Sequence, residues 1–194
     1  VHTQPQDTTI SRRLRRTQYT LQQALALQGL PAEDITKGRL AQATLFLMQG
    51  NSATAETIAR ETLALAQQQE QTYFIPRAQC LLGCCLALHG HHDEADDYFR
   101  QAMQVSQQNG MRLEYARVLY YYGAILLQRG CPQSESFQTG VDYLQQAQDI
   151  FDTCYAAIDL ERVRRILADP TQRLLPFGLH LLLNSLTPQS NSGK

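Results

Sequence analysis

Three glycines, Gly50, Gly90 and Gly130, are spaced 40 residues apart in this chain of 194 residues. Each glycine follows an apolar segment and precedes a polar turn, so one local pattern occurs three times. A repeat of this length is typical of arrays of stacked supersecondary units, because a single unit cannot bury its own apolar face. The repeat therefore favours a solenoid of similar units over a fold with one closed core.

Apolar residues recur at helical spacing on both sides of each glycine. Before Gly90 they include Leu82 and Leu86, and after it they include Ala95 and Phe99. Apolar side chains three or four residues apart share one face of a helix, and a glycine after such a segment is typical of a helix end. Each unit is therefore predicted to be a hairpin of two helices, and the fold class is predicted to be an all-α, antiparallel helix-hairpin solenoid.

The second and third units carry small and apolar residues at a recognisable spacing. These residues are Gly83, Ala95, Phe99 and Ala102 in the second unit, with Gly123, Leu144 and Ala147 as counterparts in the third. The pattern resembles the tetratricopeptide repeat (TPR), whose usual period is about 34 residues. The longer period is similar to the TPR regions of bacterial maltose-activator-like and signal-transducing ATPase regulators. The resemblance implies a right-handed superhelix with a groove lined by the first helix of each hairpin.

The two ends of the chain differ from the repeats. Residues 1–11 are predicted to be a flexible N-terminus, and residues 188–194 a disordered tail, because both are polar. Residues 169–187 are predicted to form a C-terminal capping helix over the last hairpin, although their apolar segment 174–186 is also compatible with a contact for a neighbouring domain. The repeat region between these ends is divided into a half unit at 12–29, units at about 36–75, 76–115 and 116–160, and a half unit at 161–168.

Composition limits the classes of partner. The 17 basic and 18 acidic side chains give a net charge of −1, which provides no general attraction to nucleic acid or to an anionic membrane. The cluster Arg12, Arg13, Arg15 and Arg16 lacks a nucleic-acid motif and is interpreted as a solvated surface or an interface. No apolar segment reaches the roughly 18 residues of a membrane span, and no secretory leader is evident. The five cysteines form an odd set and are predicted to be reduced, so we expect a cytoplasmic location.

The segment 80–99 contains three cysteines and three histidines, which raises the question of a metal site. Zinc needs four ligands that converge on one point, but Cys80 and Cys84 lie one helical turn apart while Cys85 points elsewhere. We therefore expect buried cysteines and turn histidines, with no metal and no cofactor. The motifs of the common nucleotide-binding and hydrolytic enzymes are also absent from the sequence, so we expect no catalytic activity.

Four cations occupy equivalent positions in the predicted first helices. We call Lys37, Arg77, Arg117 and Arg162 the basic row; they are 40, 40 and 45 residues apart. In the groove of a TPR array these cations would meet an acidic peptide or a C-terminal carboxylate. The alternative is that they bridge adjacent hairpins or are solvated. The asparagine of the carboxylate clamp known in chaperone-binding members is not matched here.

Three consecutive tyrosines follow Arg117 on the same predicted helix. Because successive residues are rotated by about 100° around a helix, they cannot all be buried. Tyr122 precedes Gly123 and is predicted to be buried, whereas Tyr120 and Tyr121 are predicted to join Arg117 in a patch that contacts a ligand, since tyrosine and arginine are enriched in binding hot spots.

These features favour a protein- or peptide-binding module that serves as the sensor or scaffold of a larger signalling or transcriptional regulator. A start at Val1 rather than Met is compatible with a fragment whose further domains lie on the same polypeptide. The alternatives are a stand-alone adaptor of a multiprotein assembly and a helical domain that senses a small molecule or a metal.

Overall fold

The chain forms a stack of helices in which each helix packs on its neighbours along the sequence. The structure is a computed structural model that describes residues 5–170, with side chains described from residue 12. Within residues 5–170 there are eight α-helices and no β-strand. The helices are α1 (Pro5–Leu25), α2 (Ala32–Met48), α3 (Ser52–Gln68), α4 (Ile75–Leu88), α5 (His92–Gln108), α6 (Arg112–Arg129), α7 (Glu135–Thr153) and α8 (Ala157–Ala168).

Consecutive helices pair as hairpins: α2 with α3, α4 with α5, and α6 with α7. The first helix of each hairpin is therefore α2, α4 or α6, and α8 occupies the position of a fourth first helix. The prediction of an all-α hairpin repeat is confirmed. Helix α1 packs on α2 and begins at Pro5, inside the segment 1–11 that was predicted to be flexible. Residues 171–187 of the predicted cap and the predicted tail 188–194 lie outside the described residues.

Tight turns end the first helices of the first two hairpins. Gly50 and Gly90 have φ angles of 83° and 81°, in the left-handed region that glycine adopts without steric cost. After α2, the Asn51 N–H donates to the Phe46 carbonyl and the Gly50 N–H donates to the Leu47 carbonyl, a pattern that satisfies carbonyls left unpaired at the helix end. Gly130 differs because its φ of −88° and ψ of 155° are those of extended backbone. It leads directly into residues 131–139, an insertion between the two helices of the third hairpin that the first two hairpins lack.

The inserted segment is partly helical. Helix α7 starts at Glu135 inside it, and the Ser134 hydroxyl caps the helix by accepting a hydrogen bond from the Phe137 N–H at 3.2 Å. The Phe137 side chain is buried, which fixes the insertion against the core.

Small residues set the distance between the helices of a hairpin. A Cβ atom added to Gly123 would lie 2.8 Å from the Gly140 carbonyl oxygen, and a Cβ added to Gly140 would lie 2.8 Å from the Gly123 oxygen. The backbones of α6 and α7 therefore touch at this crossing. In the second hairpin a Cβ added to Gly83 would lie 2.8 Å from the Phe99 ring, which stacks on Tyr122 with centroids 4.7 Å apart.

The core extends along the whole stack. All seven signature residues are buried: Gly83, Ala95, Phe99, Ala102, Gly123, Leu144 and Ala147. Two apolar clusters, one from α2 to α6 and one from α6 to α8, are joined by Tyr121, Tyr143 and Met103, which pack against both. No described helix combines the length and apolar character needed to cross a membrane.

The first helices form one layer and the second helices another. Helix α4 contacts α2 on one side and α6 on the other, and α6 also contacts α8, while the second helices contact one another less. The most extensive contacts between hairpins join each second helix to the next first helix, and the layer of first helices carries the site described next.

Candidate functional site

A groove of about 350 Å³ crosses three successive first helices. Helices α2, α4 and α6 each contribute apolar side chains to it, and cations lie among them. We call this cavity the groove; its lining residues include Leu40, Ala41 and Thr44 of α2, Cys80 and Leu81 of α4, Val118 and Tyr121 of α6, and the charged residues Lys37, Arg77, Glu114 and Arg117.

Arg77 is held by an acid of the next hairpin. Its Nη2 and Nε atoms donate to the two carboxylate oxygens of Glu114 at 2.6 and 2.8 Å, and its guanidinium lies 4.9 Å from the centre of the Tyr73 ring. The hydrogen bonds to Glu114 raise the pKa of Arg77. A bidentate pair of this kind fixes the guanidinium in one orientation.

Glu114 is the buried centre of this network, with 5% of its side chain exposed. Burial raises the pKa of Glu114, but the opposing effect of Arg77 and Arg117 is larger in sum, so the pKa lies below its usual value of 4.5. Arg117 donates to Glu114 at 2.6 Å, and the Tyr73 hydroxyl donates to it at 3.3 Å. The carboxylate is therefore ionised and fully engaged.

The same arrangement continues into α8. The Nε and Nη2 atoms of Arg117 donate to Asp159 at 3.2 and 3.1 Å, and Arg162 donates to the other oxygen of Asp159 at 3.3 Å. Arg77, Arg117 and Arg162 thus alternate with two acids along the groove side of the stack. For Arg77 and Arg117 the structure matches the alternative in which the basic row bridges adjacent hairpins.

Lys37 differs from the other members of the basic row. It is exposed on α2 and lines the groove. Among the side chains that the structure describes, none forms an ion pair or hydrogen bond with its ammonium group. Within the described part of the chain, Lys37 is therefore the groove cation that no other side chain engages.

Of the three consecutive tyrosines, one lines the groove and two are buried in the core, whereas the sequence predicted two in the groove and one in the core. Tyr121 lines the groove, and burial raises its pKa. Tyr120, which was expected to contact a ligand, is only 8% exposed and belongs to the core cluster that includes α8. Burial raises its pKa to about 12. Tyr122 is buried, as predicted, and stacks on Phe99.

The cysteines and histidines of segment 80–99 have structural surroundings. Cys80, Cys84 and Cys85 are buried, a hydrogen bond to Cys80 together with burial raises the pKa of Cys84, and burial raises that of Cys85. His89 bridges Glu56 at 2.9 Å and Ser52 at 2.8 Å. Within residues 5–170 no group of three or more His, Cys, Asp or Glu residues is placed to hold a metal ion.

A larger cavity of about 470 Å³ lies where α1 meets α2 and α3. Its charged side chains are Arg39 and Glu61, which pair with each other at 3.5 Å. Because its charges are matched internally, this cavity offers a ligand less than the groove does.

The sequence located the cations of the groove but not the acids between them. Asp34, Glu114 and Asp159 each precede a member of the basic row by three residues. This recurring acid-to-cation spacing was a usable signal, since residues three apart are neighbours on a helix. Cross-hairpin pairing was not readable from spacing alone.

Comparison with known proteins adds no identity. No protein-family model matches the chain, and no curated protein matches it significantly in sequence.

Proposed function

We propose that this chain is a TPR-like, non-catalytic module that binds a protein or peptide segment in the groove. It would serve as the sensor or scaffold part of a larger signalling or transcriptional regulator. The observation that carries the proposal is the groove itself, in which an apolar floor lies beside the exposed ammonium of Lys37.

The shape of the groove supports a segment of chain as the ligand. Three first helices contribute to one continuous cavity, so an extended or helical peptide can contact several hairpins at once. The buried side chains of Leu40, Leu81 and Val118 form the apolar floor of the groove, and Tyr121 adds an aromatic ring of the type enriched in binding hot spots. Each hairpin packs on the next one along the sequence, so the surface of the groove is already formed without a ligand.

The way in which such a stack is linked supports the proposed sensor or scaffold role. Because each hairpin contacts only its neighbours, a ligand that spans α2, α4 and α6 changes the relative stability of their packing. An attached domain would respond to that change, whereas a free-standing adaptor would only bring partners together.

The proposal is tested by selecting binders from a random peptide library displayed on phage. Selection is made on the wild-type chain and on Ala41→Tyr, which fills the groove at an exposed position of α2. Ala64→Tyr is the matched control, since Ala64 is exposed on α3 outside the groove. Binders that the wild type and Ala64→Tyr retain and Ala41→Tyr loses are the expected result. Absence of binders, or equal binding by all three proteins, would contradict the proposal.

A further inference from the structure

An acidic position accompanies the basic row in every hairpin except the second. Asp34, Glu114 and Asp159 stand three residues before Lys37, Arg117 and Arg162. The position three residues before Arg77 is occupied by Phe74. We call positions 34, 74, 114 and 159 the acidic row; it lacks its acid at position 74.

The two rows pair with a fixed offset. Two of the three arginines reach forward to the acid of the following first helix: Arg77 pairs with Glu114, and Arg117 pairs with Asp159. By the same offset the partner of Lys37 would be residue 74. Phe74 has no charge and is buried in the core between the hairpins. The missing acid therefore explains why the described side chains leave the Lys37 ammonium without a partner.

The other cations of the groove are already engaged. Arg77 uses both Nε and Nη2 on Glu114, and Arg117 uses Nε, Nη1 and Nη2 on Glu114 and Asp159. Glu114 and Asp159 balance Arg77 and Arg117, whereas no described side chain pairs with Lys37, so the α2 edge of the groove carries the positive charge that the described residues leave unmatched. A ligand with a negative charge at that edge is the complementary one.

We propose that a carboxylate of the bound peptide takes the place of the missing acid and pairs with Lys37. This inference rests on the proposed function and adds the chemistry of the ligand. An apolar side chain next to the carboxylate contacts Leu40, which lies one helical turn from Lys37, and Leu81, which lines the same groove. The occupant is thus an acidic segment with an adjacent apolar residue. Lys37 is a specificity-determining residue because it distinguishes this segment from a neutral one.

The same library is the probe, with Lys37→Met and Lys37→Arg as the matched pair. Lys37→Met keeps the aliphatic stem without the charge, and Lys37→Arg keeps the charge. We expect groove binders of the wild type and of Lys37→Arg to be enriched in Asp or Glu beside an apolar residue, and binders of Lys37→Met to lack the enrichment.

Synthetic peptides then measure the pair directly. The best acidic binder and its Gln or Asn counterpart are titrated against the wild type and Lys37→Met. We expect the amide peptide to bind the wild type about tenfold more weakly than the acidic peptide does, because the amide cannot form the charge-assisted hydrogen bond to Lys37. Lys37→Met should bind the two peptides equally, because that bond is absent from both of its complexes.

A second pair of variants tests the vacant position itself. Phe74→Glu supplies the acid and Phe74→Gln is the neutral control, so both variants lose the same buried ring. We expect Phe74→Glu to bind the acidic peptide several-fold more weakly than Phe74→Gln, because the new carboxylate competes for Lys37. If neither Phe74 variant folds, the comparison of Lys37→Met with Lys37→Arg still tests the proposal.

Failure of this inference differs from failure of the proposed function. If no binder depends on the groove, both fail. If groove binders are found but are not acidic, or if Lys37→Met still prefers the acidic peptide, the carboxylate pairing is wrong and peptide binding stands.

Discussion

At the scale of single residues, Glu114 does most to order the groove. Its carboxylate holds two arginines from different hairpins in fixed positions and leaves neither free for a ligand. Sequence reasoning placed the arginines on the first helices and left open whether they meet a ligand or bridge adjacent hairpins. It could not decide because an arginine side chain is long enough to reach an acid on the next helix, and one sequence does not show which acid it meets.

Replacing Glu114 tests this network. We expect Glu114→Gln to lower the free energy of unfolding by about 1–3 kcal/mol at neutral pH, because two partly buried guanidinium groups lose their anionic partner. Urea denaturation followed by circular dichroism measures the effect.

The same effect depends on pH in a defined direction. Since the pKa of Glu114 is lower in the folded chain than its usual value of 4.5, its stabilisation is present above that value and is lost as the pH falls through the folded pKa. Glu161→Gln is the control, because Glu161 and Arg165 form an exposed pair that contributes less than about 1 kcal/mol. An equal cost for both variants, or a cost for Glu114→Gln that persists in acid, would contradict the account.

At the scale of helices, close crossings define the hairpins. Gly123 and Gly140 bring the backbones of α6 and α7 into contact, and the sequence pattern had singled out Gly123 as a small residue of the repeat signature. The helices and their hairpin pairing were predictable because apolar periodicity and small residues act locally. Helix ends were less predictable. Glu70 after α3 and Tyr155 after α7 adopt positive φ angles of 54° and 57°, a conformation in which a glycine is usual, so no glycine marks these two helix ends in the sequence.

A methyl group at the crossing should separate the helices. We expect Gly123→Ala to lower the free energy of unfolding by about 1–3 kcal/mol through overpacking, although alanine favours a helix by about 1 kcal/mol. Gly38→Ala is the matched control, since its new Cβ would meet only the flexible end of the Leu25 side chain. Thermal unfolding should rank Gly123→Ala below the wild type and Gly38→Ala near it. The reverse order would show that the crossing is not the constraint.

The burial of Tyr120 shows where helix-level prediction stops. Its charged neighbours include Arg162 and Asp159, both on α8, so its surroundings depend on how the fourth first helix is placed. That placement follows an insertion that lengthens the period from 40 to 45 residues, and the periodicity of α6 alone does not predict it.

At the scale of the whole molecule, ion pairs link the hairpins unevenly. On the groove side they join the second hairpin to the third and the third to α8, but among the described side chains Lys37 and Phe74 form no such pair between the first hairpin and the second. Away from the groove, Glu56 of the first hairpin pairs with His89 of the second. At the equivalent place between the second and third hairpins, Asp96 pairs with Arg129, with 2.5 Å between the charged atoms. On the groove side, the contact between the first two hairpins is therefore where a ligand can add an ion pair that the described side chains do not form.

Lysine chemistry tests the central claim that the ligand binds beside Lys37. Lys37 and Lys194 are the two lysines of the sequence, so in a Lys194→Arg variant an amine-reactive acetylating ester modifies only Lys37 and the terminal amine. The acetylation rate is measured by mass spectrometry with and without the selected acidic peptide. With nine-tenths of the groove occupied we predict about tenfold slower acetylation of Lys37 and an unchanged rate at the terminal amine. Equal acetylation of Lys37 with the peptide fully bound would contradict the account.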